Sequence, residues 1–303
     1  MLKRIISAVL LCATALSFAA CGEDGEAKPA VTTAESTAVT TATESDKRKE
    51  GEVLDNTKEY SILFIGNSYT YYNEMPEVLF AGIAEDAGYN FTVKSLTKGG
   101  WDLLRSGSAD DELGALVDAE LKNTKYDYVV LQEQSTNPAL DRGKFYDGAR
   151  SVYEKVKANG ATPVLYSTWG RKTGHYVLDD NGLTNETMTW QIAAAYEALG
   201  EELKVDVAPV GLAFFDVYTQ DIKGLDIYAE DLTHPSYKGS YLAALTIFAE
   251  ITGVDPTTVD FRGDCPSAVA KLLREAARKA VFETPAIPEE YKTSSEGVHM
   301  TEE

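Results

Sequence analysis

Asp231-Leu232-Thr233-His234-Pro235 places an aspartate three residues before a histidine, in a turn that a proline ends. That spacing lets the carboxylate reach Nδ1 of the ring, fix its tautomer and stabilise the imidazolium, which leaves Nε2 free to take a proton. Ser68 follows Ile62-Leu63-Phe64-Ile65-Gly66-Asn67 and so stands at the end of an apolar run, where a nucleophile is expected. Gly99-Gly100 can expose backbone N–H groups to a developing oxyanion. Gln132-Glu133-Gln134-Ser135, polar directly after Val129-Val130-Leu131, offers a side-chain amide from either glutamine for the same purpose. Each stretch also has a plain structural reading. Ser68 can cap a helix after a Gly66-Asn67 turn, His234 can open a helix with Asp231 or Ser236 as cap, and the other two can be a turn and a polar loop. The combination, a serine at a strand end together with an aspartate and histidine in one turn, is what points to nucleophilic acyl chemistry by Ser68, His234 and Asp231.

The elements that must position these residues alternate along the chain. Four apolar residues in a row, preceded by Tyr60 and ended by glycine, read as a strand buried on both faces, which implies a parallel sheet covered by helices. A helix carrying Met75, Val78, Leu79 and Ile83 follows, and a second strand runs from Phe91 toward Lys98-Gly99-Gly100. A helical stretch around Leu113 to Leu121 leads to a third strand, Tyr126 to Leu131. Phe145, Ala149, Val152, Tyr153 and Val156 recur at helical spacing before Asn159-Gly160 closes that helix. Thr162 to Ser167 is a fourth strand, Trp169 to Thr184 is irregular, and a helix spans about Glu186 to Leu203. Val205 to Val210 forms a short fifth strand, with later helices at Tyr241 to Ile251 and Val269 to Phe282. Right-handed crossovers place helices on both faces, so the expected fold is an α/β/α three-layer sandwich around a five-stranded parallel sheet.

A chain of 303 residues, 44% hydrophobic, can bury the core of one catalytic-size domain with appendages. Lys3 and Arg4 precede an apolar run from Ile5 to Phe18 and a small pair, Ala19-Ala20, before Cys21. This reads as a secretory signal, too short for a comfortable membrane span. A cysteine directly after the small pair resembles a bacterial lipoprotein signal, although Phe18 stands where such signals usually carry Leu. The resemblance implies lipidation at Cys21, membrane anchoring and a cell-surface location; simple secretion is the alternative. Residues 22–58, rich in Thr, Ala, Ser and Glu, read as a disordered tether, with Lys47-Arg48-Lys49 as a solvated patch. The globular domain then spans 59–284, and residues 285–303, with two prolines and many acids, read as a disordered tail. Cys265 is left as a small core hydrophobe, and the three histidines show no zinc-binding spacing. A formal net charge of -20 repels phosphate backbones and argues against a nucleic-acid partner.

Gly66-Asn67-Ser68, Gly99-Gly100, Gln132-Glu133-Gln134-Ser135 and Asp231-Leu232-Thr233-His234, in this order, resemble the four blocks of the SGNH (GDSL-like) hydrolases. Tyr228 to Ser236 with Gly239, Tyr241, Leu242 and Ala243 resembles a bacterial branch known as a domain of unknown function. The resemblance implies a flavodoxin-like SGNH hydrolase fold and a cofactor-free carboxylic ester hydrolase. Ser68 would be its nucleophile, His234 its base and Asp231 the orienting acid. It also implies an oxyanion hole of Ser68, Gly100 and Gln134, with Gly99 and Gln132 as alternates. Two positions depart from the family pattern: Asn67 replaces the usual aspartate, and a glutamine stands for the usual third-block asparagine.

Thr70 excludes the Gly-x-Ser-x-Gly elbow, and Lys98-Gly99-Gly100 followed by Trp101 gives little support to nucleotide binding. Tyr69, Tyr71, Tyr72, Trp101 and Trp169 adjoin predicted strand ends, and their aromatic faces could stack on sugar rings or pack under loops. Asn67, beside Ser68, joins Tyr69, Trp101 and Trp169 as a candidate substrate contact. The expected activity is removal of acyl groups, acetyl above all, from carbohydrate or another small ester. A lipase or thioesterase of the same fold and a glycan-binding lipoprotein without turnover are the alternatives.

Overall fold

The computed structural model of the chain describes residues 47–48 and 51–301. Five parallel strands, β1 (Glu59–Gly66), β2 (Asn90–Thr97), β3 (Tyr128–Leu131), β4 (Thr162–Tyr166) and β5 (Asp206–Ala208), pair in the order β2-β1-β3-β4-β5. This is the doubly wound order in which strand sequence reverses beside β1, and the crevice at that reversal is where such sheets place their sites. The crossovers before β5 carry α1 (Ser68–Tyr71), α2 (Ala81–Asp86), α3 (Leu103–Gly107), α4 (Glu112–Asn123), α5 (Asn137–Leu140), α6 (Arg142–Asn159), α7 (Tyr176–Asp180) and α8 (Asn185–Leu203). After β5 come α9 (Val210–Thr219), α10 (Tyr237–Thr252) and α11 (Ser267–Phe282).

Successive side chains of a strand point to opposite faces, and β1 uses both. Ile62 and Phe64 enter one core with Leu79, Phe80, Phe214 and Phe248, under α2, α9, α10 and α11. Leu63 and Ile65 enter the other with Leu103, Val117, Val152 and Ile192, under α3, α4, α6 and α8. Burying each such side chain contributes roughly 1.5–3 kcal/mol. Helix α10 is buried almost all round, with Ser236 capping its first turn by accepting from Gly239 N. A helix so enclosed cannot easily rotate, which matters because His234 lies just before it. Cys265 is fully buried in the first core, and burial pushes its thiol up to about 11.

The two ends depart from expectation. Residues 1–46, which hold the signal segment, Cys21 and most of the tether, lie outside the described residues. The described remainder of the tether packs. Arg48 N donates to Asp206 Oδ2 at 2.7 Å, Arg48 Nε to Glu250 O at 3.0 Å and Leu54 N to Thr252 O at 2.8 Å, while Lys47 pairs with Glu201. Lys47 and Arg48 are therefore ion-pairing and capping residues and not a solvated patch. The stretch from 285 to 301 is likewise ordered against α6 and α8. Ile287 is buried, Ser295 Oγ donates to Ala198 O at 3.0 Å, and Arg150 donates to Ser295 O and Val298 O at 2.7 and 2.8 Å. Asp147 receives Met300 N at 2.8 Å and lies 2.7 Å from His299 Nδ1. Composition alone suggested disorder because the partners, Asp147 and Arg150, lie about half the chain away.

Candidate active site

The turn after β1 is built from buried polar groups. Gly66 must be glycine, since a Cβ there would lie 2.6 Å from both Gln132 Oε1 and Thr70 Oγ1. Into that space comes Gln132, buried just past β3, whose Oε1 accepts from Asn67 N and Thr70 Oγ1, both at 2.9 Å. Asn67 caps α1: its Oδ1 accepts from Tyr69 N at 3.1 Å, and its Nδ2 donates to Trp101 O at 2.8 Å. The Asn67 side chain thereby joins the first and second strand ends, and Gln132 joins the first and third. Ser68, the first residue of α1, is 9% exposed.

The opposing turn lies between α9 and α10. Asp231 Oδ1 accepts from Thr233 N at 3.0 Å and His234 N at 2.9 Å, and Oδ2 meets His234 Nδ1 at 2.5 Å. His234 Nε2 lies 2.8 Å from Ser68 Oγ. Leu232 adopts φ +63, rare for a branched residue, and its carbonyl accepts from Lys172 N at 3.0 Å. Partial burial pushes the Asp231 carboxyl up, but the bonds from the His234 ring and from His234 and Thr233 N–H outweigh it and hold the group below its ordinary value. The structure thus brings Ser68, His234 and Asp231 into one hydrogen-bonded line at the carboxyl edge of the sheet.

Backbone donors flank that line. Lys98 N is bonded to Gly66 O at 3.2 Å and Trp101 N to Lys98 O at 3.0 Å, which brings the Gly99-Gly100 turn to the serine's side of the sheet. Gly100 has φ +70, and its side-chain position is open. The N–H groups of Ser68 and Gly100 donate to no described residue. The two glutamines differ. Gln132 is engaged at both ends, since its Nε2 donates to Glu133 O, so it is a brace under the serine and not an open donor. Gln134 Oε1 accepts from Thr136 N, Thr136 Oγ1 and Asn137 N at 2.8, 2.7 and 3.3 Å, while its Nε2 bonds no described residue.

Three of the four residues expected to touch substrate are inside the protein. Asn67 and Tyr69 are 2% and 3% exposed, and Trp169 is fully buried, stacked between Tyr69 (4.3 Å, 5°) and Phe214 (3.9 Å, 1°) with its Nε1 donating to Thr233 O at 3.1 Å. Proximity to a strand end does not make a residue face the cleft; the first turn of α1 directs Tyr69 inward, under His234. Trp101 is half-buried, with Lys98 Nζ 4.0 Å above its ring.

One residue beside the site, Arg171, escaped the sequence reading, and two others, Glu133 and Tyr72, were named there without the places they take. Arg171 is buried and donates to Tyr69 Oη and, at 2.7 Å, to Ser135 Oγ, with no carboxylate partner among the described residues. Burial lowers its guanidinium to about 10. Glu133 is fully buried and accepts from Leu103 N at 3.1 Å, Gln134 N at 2.7 Å and Asn137 Nδ2 at 2.9 Å, tying the Gln134 loop to the start of α3; burial pushes its carboxyl up to about 8. Tyr72 lies flat on the His234 ring, 4.2 Å between centroids and 5° between planes. The only sequence signal for Arg171 was its place in the irregular stretch after β4.

No family model and no curated protein matches the chain. Among solved structures it is similar to a protein from Slackia heliotrinireducens described as a candidate SGNH hydrolase, with 31% identity over 64% of this chain and 100% of that one and a TM-score of 0.56. It is also similar to a DUF4886 family protein from Bacteroides uniformis, 18% identical over 77% of this chain and 98% of that one, with a TM-score of 0.64. At that identity the second likeness speaks to the fold alone. The first likeness is 31% identical and spans the whole of the Slackia protein, so the chain belongs to the SGNH hydrolase fold family.

Proposed function

We propose that this protein is a serine esterase that removes acyl groups, acetyl above all, from carbohydrate at a bacterial cell surface, held there by a lipid on Cys21. The observation that carries the reading is the continuous line from Asp231 Oδ2 through the His234 ring to Ser68 Oγ, with contacts of 2.5 and 2.8 Å. As Ser68 Oγ attacks the ester carbonyl, its proton passes to His234 Nε2, and Asp231 holds the Nδ1–H tautomer and stabilises the imidazolium. The oxyanion is received by the N–H groups of Ser68 and Gly100 and by the Gln134 amide. The alcohol leaves with the proton from Nε2, and a water deprotonated by His234 then releases the acyl group from Ser68. All these steps use the chain's own residues.

Hydrolysis of an aryl acetate by the wild-type protein and by Ser68→Ala tests the chemistry; full activity in a folded Ser68→Ala would refute it. A series of acyl chain lengths tests the acyl group, with a marked long-chain preference favouring a lipase or thioesterase. Release of acetate from acetylated oligosaccharides tests the carbohydrate part. Incorporation of a labelled fatty acid that is lost in Cys21→Ser tests the anchor.

A further inference from the structure

Tyr72 is held against His234 by an unusual backbone. The two residues after it, Asn73 and Glu74, have φ +57 and +51, two non-glycine residues in succession in the left-handed region. Such conformations persist where the surroundings over-determine them. Here Asn73 Nδ2 donates to Ser240 Oγ at 2.8 Å and to Pro235 O at 3.3 Å, and Ser240 Oγ donates to Tyr72 O at 3.1 Å. The strained turn is thus bolted to the residue that follows His234 and to the first turns of the buried helix α10. Its effect is to lay the Tyr72 ring on one face of the imidazole, while Tyr69 meets the same imidazole edge-on at 5.8 Å and 69°. The Tyr72 hydroxyl bonds no described residue, so the ring is what Tyr72 contributes.

We infer that Tyr72 is a positioning residue for the proposed reaction: its ring keeps the His234 imidazole in line between Asp231 and Ser68 and offers its π face to the imidazolium that forms. The inference rests on the esterase reading. The His234 side chain is 23% exposed and that of Asp231 45% exposed, so the Tyr72 ring covers one face of an imidazole that solvent still reaches. Stacking and cation–π contact of this kind correspond to roughly a tenfold change in rate when lost.

The test is steady-state hydrolysis of an aryl acetate, with fluorophosphonate labelling of Ser68 as a second readout, in the wild type, Tyr72→Leu and Tyr72→Phe. Tyr72→Leu is expected to lower kcat and the labelling rate about tenfold while KM stays within about twofold, and Tyr72→Phe to remain within about threefold of wild type. Three results overturn the inference: wild-type kcat in Tyr72→Leu, a Tyr72→Phe as slow as Tyr72→Leu, or a loss confined to KM. A wild-type protein that neither hydrolyses nor labels overturns the esterase reading and this inference with it, whereas an active wild type with indifferent Tyr72 variants overturns this inference alone. Should Tyr72→Leu fail to fold, Asn73→Gly removes both amide bonds while easing the backbone; lowered kcat with unchanged KM supports the inference, and wild-type kcat overturns it.

Discussion

The turn that carries Ser68 is lined by buried polar side chains, whereas the turn that carries His234 leaves its aspartate 45% exposed. Asn67 and Gln132 tie the serine turn to two neighbouring strand ends through bonds that cannot be exchanged for water. His234 relies on Asp231, three residues away, and on rings laid against it. The serine's place is therefore part of the folding energy, and the histidine's is a local adjustment. Damage to the groups that brace the serine turn should appear as lost stability, and damage to the reacting groups or to the histidine turn as lost turnover in a protein that still folds.

The sharpest way to break this comparison is at the reacting groups. Ser68→Ala and His234→Ala are each expected to lower kcat for an aryl acetate by about 10³-fold or more while the cooperative unfolding transition persists. Asp231→Asn should cost about 10²–10³-fold in kcat through the wrong imidazole tautomer, and its exposure keeps the stability change within about 1 kcal/mol in urea unfolding. If Asp231→Asn unfolds the protein, the histidine turn is not the local device described above. Gln132→Ala should do the reverse. It orphans Asn67 N and Thr70 Oγ1 in the interior, so unfolding free energy should fall by about 2–4 kcal/mol. A Gln132→Ala protein as stable as wild type would remove the contrast.

A smaller effect should appear in pH dependence. Burial raises Glu133 from an ordinary 4.5 to about 8 against the pull of its three N–H donors, so between those values the folded protein keeps a proton that the unfolded chain has lost. That contribution is complete below about pH 4.5 and disappears as pH rises through about 8, so unfolding midpoints should fall across this window. Glu133→Gln should flatten that decline; an unchanged slope would assign it to other groups.

How much was legible in the sequence follows from how local each signal was. The β1 run, the helical spacing in α6 and the Asp231-to-His234 interval are short-range patterns, and pattern alone placed each within a few residues of where it lies. Which of Gln132 and Gln134 is buried under the serine turn was not legible, because the space left by Gly66 takes up Gln132 and only packing reveals that space. Trp169 looked like a surface aromatic because nothing nearby in sequence announces Phe214 as the ring that covers it. Arg171 carried no signal beyond its place in the irregular stretch after β4, since its partners Tyr69 and Ser135 lie 102 and 36 residues away.

By itself the sequence determined that a parallel sheet would form, that a serine would end its first strand, and that a carboxylate and an imidazole could meet in one turn. These rest on residue type and spacing over a few positions. Only the tertiary structure decided that Asn67, Tyr69 and Trp169 turn inward, that Gln132 braces the serine, that Tyr72 covers His234, and that residues near both described ends pack onto the body. Those outcomes depend on contacts between segments distant in sequence, where burial and hydrogen-bond satisfaction choose among conformations that local pattern leaves equally open.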